Sequence, residues 1–151
     1  MYGVCFVTVY PCGKISIVDV TVTHPTQQKY VAQAATRAGH AARGAERAKE
    51  VEFGKLGTDA GQYDFVPFAV ETYGRLGVSA QSFLKALGDV AASRGNISKA
   101  AFVRSAYREI SCALQRGNGL MYDRSLFHIA RASGRQFMPG CDVPVQEEAL
   151  L

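Results

Sequence analysis

Three observations predict an α/β domain in the broad α+β sense. Two β-branched segments flank a turn at the N-terminus, a third strand-like run lies near mid-chain, and Ala- and Arg-rich helical stretches fill most of the remainder. The 151 residues suit one domain with a real core. We place that domain at residues 1–135 and a loosely ordered acidic tail at 136–151.

The elements follow in order. Gly3 to Tyr10 is rich in Val, Phe, Thr and Tyr, Pro11-Cys12-Gly13-Lys14 supplies turn chemistry, and Ile15 to Thr23 resumes the strand composition, so an N-terminal β-hairpin is expected. Alternation puts Asp19, Thr21 and Thr23 on one face of the second strand and Val18, Val20 and Val22 on the other. His24-Pro25-Thr26 ends it. Residues 28–56 read as helix, with a loop or kink between Gly39 and Arg43 and a second piece from Ala45 to Lys55. Gly57 is a stop, and Thr58 to Gln62 a polar loop. Tyr63 to Thr72 is the third strand, which Pro67 demotes to an edge or a bulge because it cannot donate to a ladder. After a loop, Ser79 caps a helix ending near Gly95, and Ser98 caps another running to Arg116. Gly117-Asn118-Gly119 breaks the chain before a last helix, Leu120 to Ala132. The whole is a small sheet packed by four or five helices.

Composition narrows the classes of function. Hydrophobic content of 48% with 20% charged residues fits a soluble globular chain, and no apolar stretch is long enough to cross a membrane. No basic region precedes the first apolar run, so no signal peptide is expected. Cys5, Cys12, Cys112 and Cys141 lack the spacing of a zinc site, and reduced thiols point to an intracellular location, nucleus or cytoplasm, with a secreted disulfide framework the alternative that an even count leaves open. The net charge of +4 is unevenly spread: Arg94 to Arg135 alone carries +6, mostly as arginine. Arginine suits bidentate phosphate contacts, so Arg104, Arg108 and Arg116 are candidate nucleic-acid contacts, with a solvated helical face the alternative.

Asp19 is the residue of most interest. A carboxylate amid β-branched neighbours needs a metal ion, a lysine or a hydrogen-bond donor, because an unpaired buried charge costs several kcal/mol. Magnesium normally takes two carboxylates, and the second could be Glu46, Glu50, Glu52, Asp64 or Glu71. Lys49, on spacing alone, is an ordinary solvated helical lysine. His24 before proline reads as a loop-end hydrogen-bonder, and His40 and His128 have no companions at metal spacing.

Four segments together carry a resemblance: Asp19-Val20-Thr21-Val22-Thr23-His24-Pro25, Ala45-Glu46-Arg47-Ala48-Lys49, Phe65 through Gly74, and Ile110 through Asn118. They resemble the C-terminal region of reverse-transcriptase polyproteins of non-LTR retrotransposons. That region is similar to restriction-endonuclease-like domains of the PD-(D/E)xK class. The resemblance spans residues 15–118 and implies a Mg²⁺-dependent DNA endonuclease. It implies Asp19 as catalytic carboxylate and metal ligand, Lys49 as the catalytic lysine displaced onto the following helix, and a structural or supporting role for Glu71. Glu52 and Phe53 stand where the family has a second lysine and a tyrosine. The family's first carboxylate would fall at or before Met1, so the expectation is a piece of a longer protein with an incomplete metal site. The implied partner is DNA, with RNA an alternative, no membrane, and self-association through the hairpin edge. A catalytically silent nucleic-acid-binding or self-association module is the other reading. A structural protein with a basic, protein-facing surface is the third.

Overall fold

The computed structural model describes residues 4–9, 15–54, 63–95 and 97–133. It is mixed α+β, in the order β1 (Val4–Val9), β2 (Ile15–Thr23), α1 (Val31–Ala34), α2 (His40–Gly54), β3 (Tyr63–Glu71), α3 (Val78–Ser93) and α4 (Lys99–Ala132). The strands lie side by side as β1-β2-β3. β1 runs antiparallel to β2, from Val4 opposite Val20 to Val9 opposite Ile15. The turn between them lies outside the described residues.

The longer ladder is the parallel pair β2–β3, in register from Ile15 opposite Tyr63 to Thr23 opposite Glu71. Parallel neighbours need a long crossover, and α2 supplies it. The frame of the fold is therefore a βαβ unit rather than the N-terminal hairpin on which the sequence reading centred. Pro67 sits opposite Asp19 on the outer strand, where its missing N–H leaves no partner unsatisfied in a further strand.

Two layers cover the sheet, and alternation assigns them. Val18, Phe68 and Val70 pack with Leu76, Ala80 and Leu84, so α3 covers that face, and Tyr107, Ile110 and Leu114 of α4 pack against the same cluster. The opposite face presents Ala69 to Ala42 and Ala45 of α2, three small residues that let helix and strand approach closely. Around them this face is polar: Thr21, Thr23 and Glu71 are all buried there. At its far end Phe53 of α2 stacks on Phe65, 4.0 Å between ring centroids.

Several helix boundaries depart from the sequence reading. The helix expected from residue 28 is instead a run of turns, the single turn α1 and then α2. Gly39, at φ 74°, reverses the chain immediately before His40 in a conformation that an L side chain rarely adopts. Ser79 does not cap α3. The N-cap is Gly77, and Ser79 lies inside the first turn. Ser98 does cap α4, its Oγ accepting the Ala101 N–H at 3.3 Å. The break expected at Gly117-Asn118-Gly119 is absent, since α4 is continuous from Lys99 to Ala132. Neither glycine takes a positive φ, and the flanking Leu114, Gln115, Arg116, Leu120 and Met121 favour helix strongly enough to carry them.

The chain divides into two compact units, Met1–Gln115 and Arg116–Leu151. The first holds the sheet and core just described. In the second, the described residues are the end of α4, with Leu120, Met121, Tyr122, Phe127 and Ile129 exposed. No described helix is long and apolar enough to cross a membrane.

Candidate functional site

α2 turns one stripe toward the polar face of the sheet: Ala42, Ala45, Glu46, Lys49 and Phe53 recur at the three- and four-residue intervals of a helix. Lys49 continues that stripe where the alanines end, and there it meets β2. Its Nζ lies 3.1 Å from Asp19 Oδ2, and both side chains are largely covered, at 17% and 19% exposure. The same ammonium lies 3.0 Å from Glu52 Oε2, one turn further along α2 and mostly exposed. Glu52 first and Asp19 second hold the Lys49 pKa above its ordinary value, so the side chain is a cation at neutral pH.

The second oxygen of Asp19 is different. Among the described residues Oδ1 is buried without a hydrogen-bond partner, and the same is true of Thr21 Oγ1, two residues along on the same face. Leaving a buried polar atom unpaired costs about 1–3 kcal/mol, more for a charged group. Each such oxygen would be stabilised by an ordered water or another hydrogen-bond donor.

Of the candidate second carboxylates, Glu50 and Asp64 are exposed, and the other three are committed elsewhere. Glu71 accepts the N–H of Ala42 at 3.2 Å and so caps the first turn of α2. Glu46 accepts the N–H groups of Val78 at 3.2 Å and Ser79 at 2.9 Å, capping α3. Burial raises the Glu46 pKa, and those same N–H groups partly offset the rise. Glu52 is held by Lys49. Among the described residues no group of three or more His, Cys, Asp or Glu side chains converges on one point.

Asp19 and Lys49, 30 residues apart in sequence, are therefore brought together. The candidate nucleic-acid arginines are not gathered with them. Arg104 and Arg108 are exposed on α4, whose apolar side packs in the α3 layer, across the sheet from the Asp19–Lys49 contact. Arg116 is exposed and belongs to the second unit. His24 is indeed a loop-end hydrogen-bonder, its Nδ1 2.5 Å from Thr72 Oγ1. Cys112 is a free, exposed thiol.

Sequence reasoning missed the two carboxylate caps. Their partners lie 29 and 33 residues away, and local patterns such as the capping box do not report on such pairs. In comparison with known proteins, no family model, no curated protein and no solved structure matches this chain.

Proposed function

We propose that this chain is a restriction-endonuclease-like domain of the kind found in retrotransposon reverse-transcriptase polyproteins, acting in Mg²⁺-dependent phosphodiester hydrolysis on DNA. One observation carries the reading: the strand carboxylate of Asp19 meets the helical ammonium of Lys49 at 3.1 Å while Asp19 keeps a buried oxygen without a partner among the described residues. The donor set fits a divalent cation in part. Asp19 Oδ1 would ligate Mg²⁺ and Thr21 Oγ1 would hold one of its waters, while three candidate second carboxylates are engaged, Glu46 and Glu71 at helix N-termini and Glu52 with Lys49. When bound, Mg²⁺ would supply a polarised phosphoryl oxygen and an activated water.

The protein's own contribution is positional. Lys49 stays protonated, so it serves as a fixed cation for a non-bridging phosphate oxygen rather than as a base. Asp19 orients that cation and the water. The basic α4 surface, with Arg104, Arg108 and Arg116, attracts the phosphate backbone.

Plasmid nicking by the full chain in Mg²⁺ tests this. Asp19→Asn and Lys49→Met are each expected to lower the rate by at least about a hundred-fold, in line with single losses of acid–base or charge-stabilising groups. Equal rates in wild type and Asp19→Asn would contradict it. A second reading, nucleic-acid binding without cleavage, is favoured by the commitment of Glu46 and Glu71 to helix N-termini. It predicts steeply salt-dependent DNA binding with no Mg²⁺-dependent nicking.

A further inference from the structure

A cavity of about 830 Å³ opens at the carboxyl ends of the parallel strands β2 and β3, away from the Asp19–Lys49 contact. Ligands of α/β proteins collect at such strand ends, because the chain leaves a crevice there as it departs for the next helix. The volume suits a small organic group. Its wall is apolar, from Pro25, Ala34 and Ala38, and Tyr107 of α4 lines it too. Tyr73, 67% exposed, stands at the opening with the His24 ring 5.5 Å from its own.

The polar content of the cavity is selective. Glu71 lines it, but its carboxylate is buried and engaged with the first turn of α2. Gln81 donates its amide to the Leu76 carbonyl at 2.9 Å. Arg75 is exposed and forms no ion pair among the described residues, so it is the available charge and it is positive. An apolar wall with Tyr73 and Tyr107, and a guanidinium that forms no ion pair among the described residues, suits a planar ring attached to an anion. That is the chemistry of a nucleotide.

We propose that this cavity receives one unpaired nucleotide of a single-stranded flank, its base against Tyr73 and the apolar wall and its phosphate at Arg75. The inference rests on the nucleic-acid reading above and deepens it. Thr23, the last residue of β2 and two residues before the cavity-lining Pro25, lies four residues beyond Asp19 on the same strand face, about 13 Å at the rise of a parallel strand. That distance is roughly four stacked nucleotides, so a strand could occupy both places at once.

The test is fluorescence anisotropy of the full chain with a labelled oligothymidylate of about 12 nucleotides, without divalent metal so that no cleavage intervenes. Tyr73→Ala and Arg75→Ala change exposed side chains and are each expected to weaken binding by about ten-fold. An abasic strand with the same phosphates is expected to bind wild type no better than oligothymidylate binds Tyr73→Ala. Unchanged affinity in Tyr73→Ala, or equal binding of the abasic strand, would overturn the inference. So would thymidine monophosphate competing as strongly as the oligonucleotide, since the occupant would then be a free nucleotide. The Asp19→Asn variant separates the two readings. Loss of nicking there with unchanged oligothymidylate binding supports the cavity as an independent site. Tyr73-dependent binding by a wild-type chain that never nicks DNA supports the cavity and defeats only hydrolysis.

Discussion

At Glu46 a single side chain joins two elements that are distant in sequence. Its carboxylate fills the space in front of α3, and a Cβ on Gly77 would collide with it. Gly77 has φ −67°, a conformation open to any residue, so the glycine is needed for room rather than for backbone freedom. Gly77→Ala and Glu46→Ala are therefore expected to cost about the same, roughly 1–2 kcal/mol each, the usual loss when a helix cap is removed. Chemical denaturation would check the match. The pH dependence follows from the raised Glu46 pKa. A folded-state pKa above the unfolded value makes the folded chain hold its proton longer, so this contribution to stability is full below about pH 4.5 and declines as pH rises through the folded value. Glu46→Gln keeps one acceptor and cannot ionise, and its stability is expected to be flatter across that window. Lys49 has the same sign in a different window. Its raised pKa keeps the ammonium, and the stability it contributes, in place below about pH 10.5, lost only as pH climbs through the folded value, so Lys49 does not titrate near neutrality.

At the scale of elements, the parallel pair β2–β3 and the helix between them do most to position the site. The alternation of β2 was readable from its residues: Asp19 and Thr21 do share a face, and Val18 does lie in the core on the other. Pro67 likewise reads correctly as an edge-strand residue. What did not show was the parallel pairing, which depends on where a crossover helix lands and leaves no signature in either strand. Glycine was read correctly in one place and not in another: the break expected at Gly39 is present, the one expected at Gly117 and Gly119 is not. Gly39 marks a true reversal because its φ is positive, whereas Gly117 and Gly119 remain helical at the ordinary cost. Nothing lies within 4 Å of a Cβ at either of these two positions. Each Gly→Ala change there is expected to stabilise α4 by about 0.8–1 kcal/mol, measurable as a higher thermal midpoint with more helical circular dichroism.

Over the whole molecule, charge and candidate chemistry occupy different layers. Asp19 of β2 meets Lys49 of α2 on one face, while Arg104 and Arg108 sit on α4 in the layer across the sheet. Composition alone could reveal the basic segment but not which side of the sheet it would cover, because that follows from the packing of Tyr107, Ile110 and Leu114. If these arginines contact phosphate, Arg104→Ala and Arg108→Ala should each reduce the slope of log binding constant against log salt by about 0.9 on duplex DNA. They should leave the Asp19–Lys49 pair untouched. The central claim is that the α2-facing side of β2 accepts a divalent cation at Asp19, and amide NMR of the full chain with substoichiometric Mn²⁺ measures it most directly. Broadening centred on Asp19 and Thr21, abolished in Asp19→Asn and reversed by excess Mg²⁺, is the predicted result. Broadening located elsewhere, or persisting unchanged in Asp19→Asn, would contradict the account.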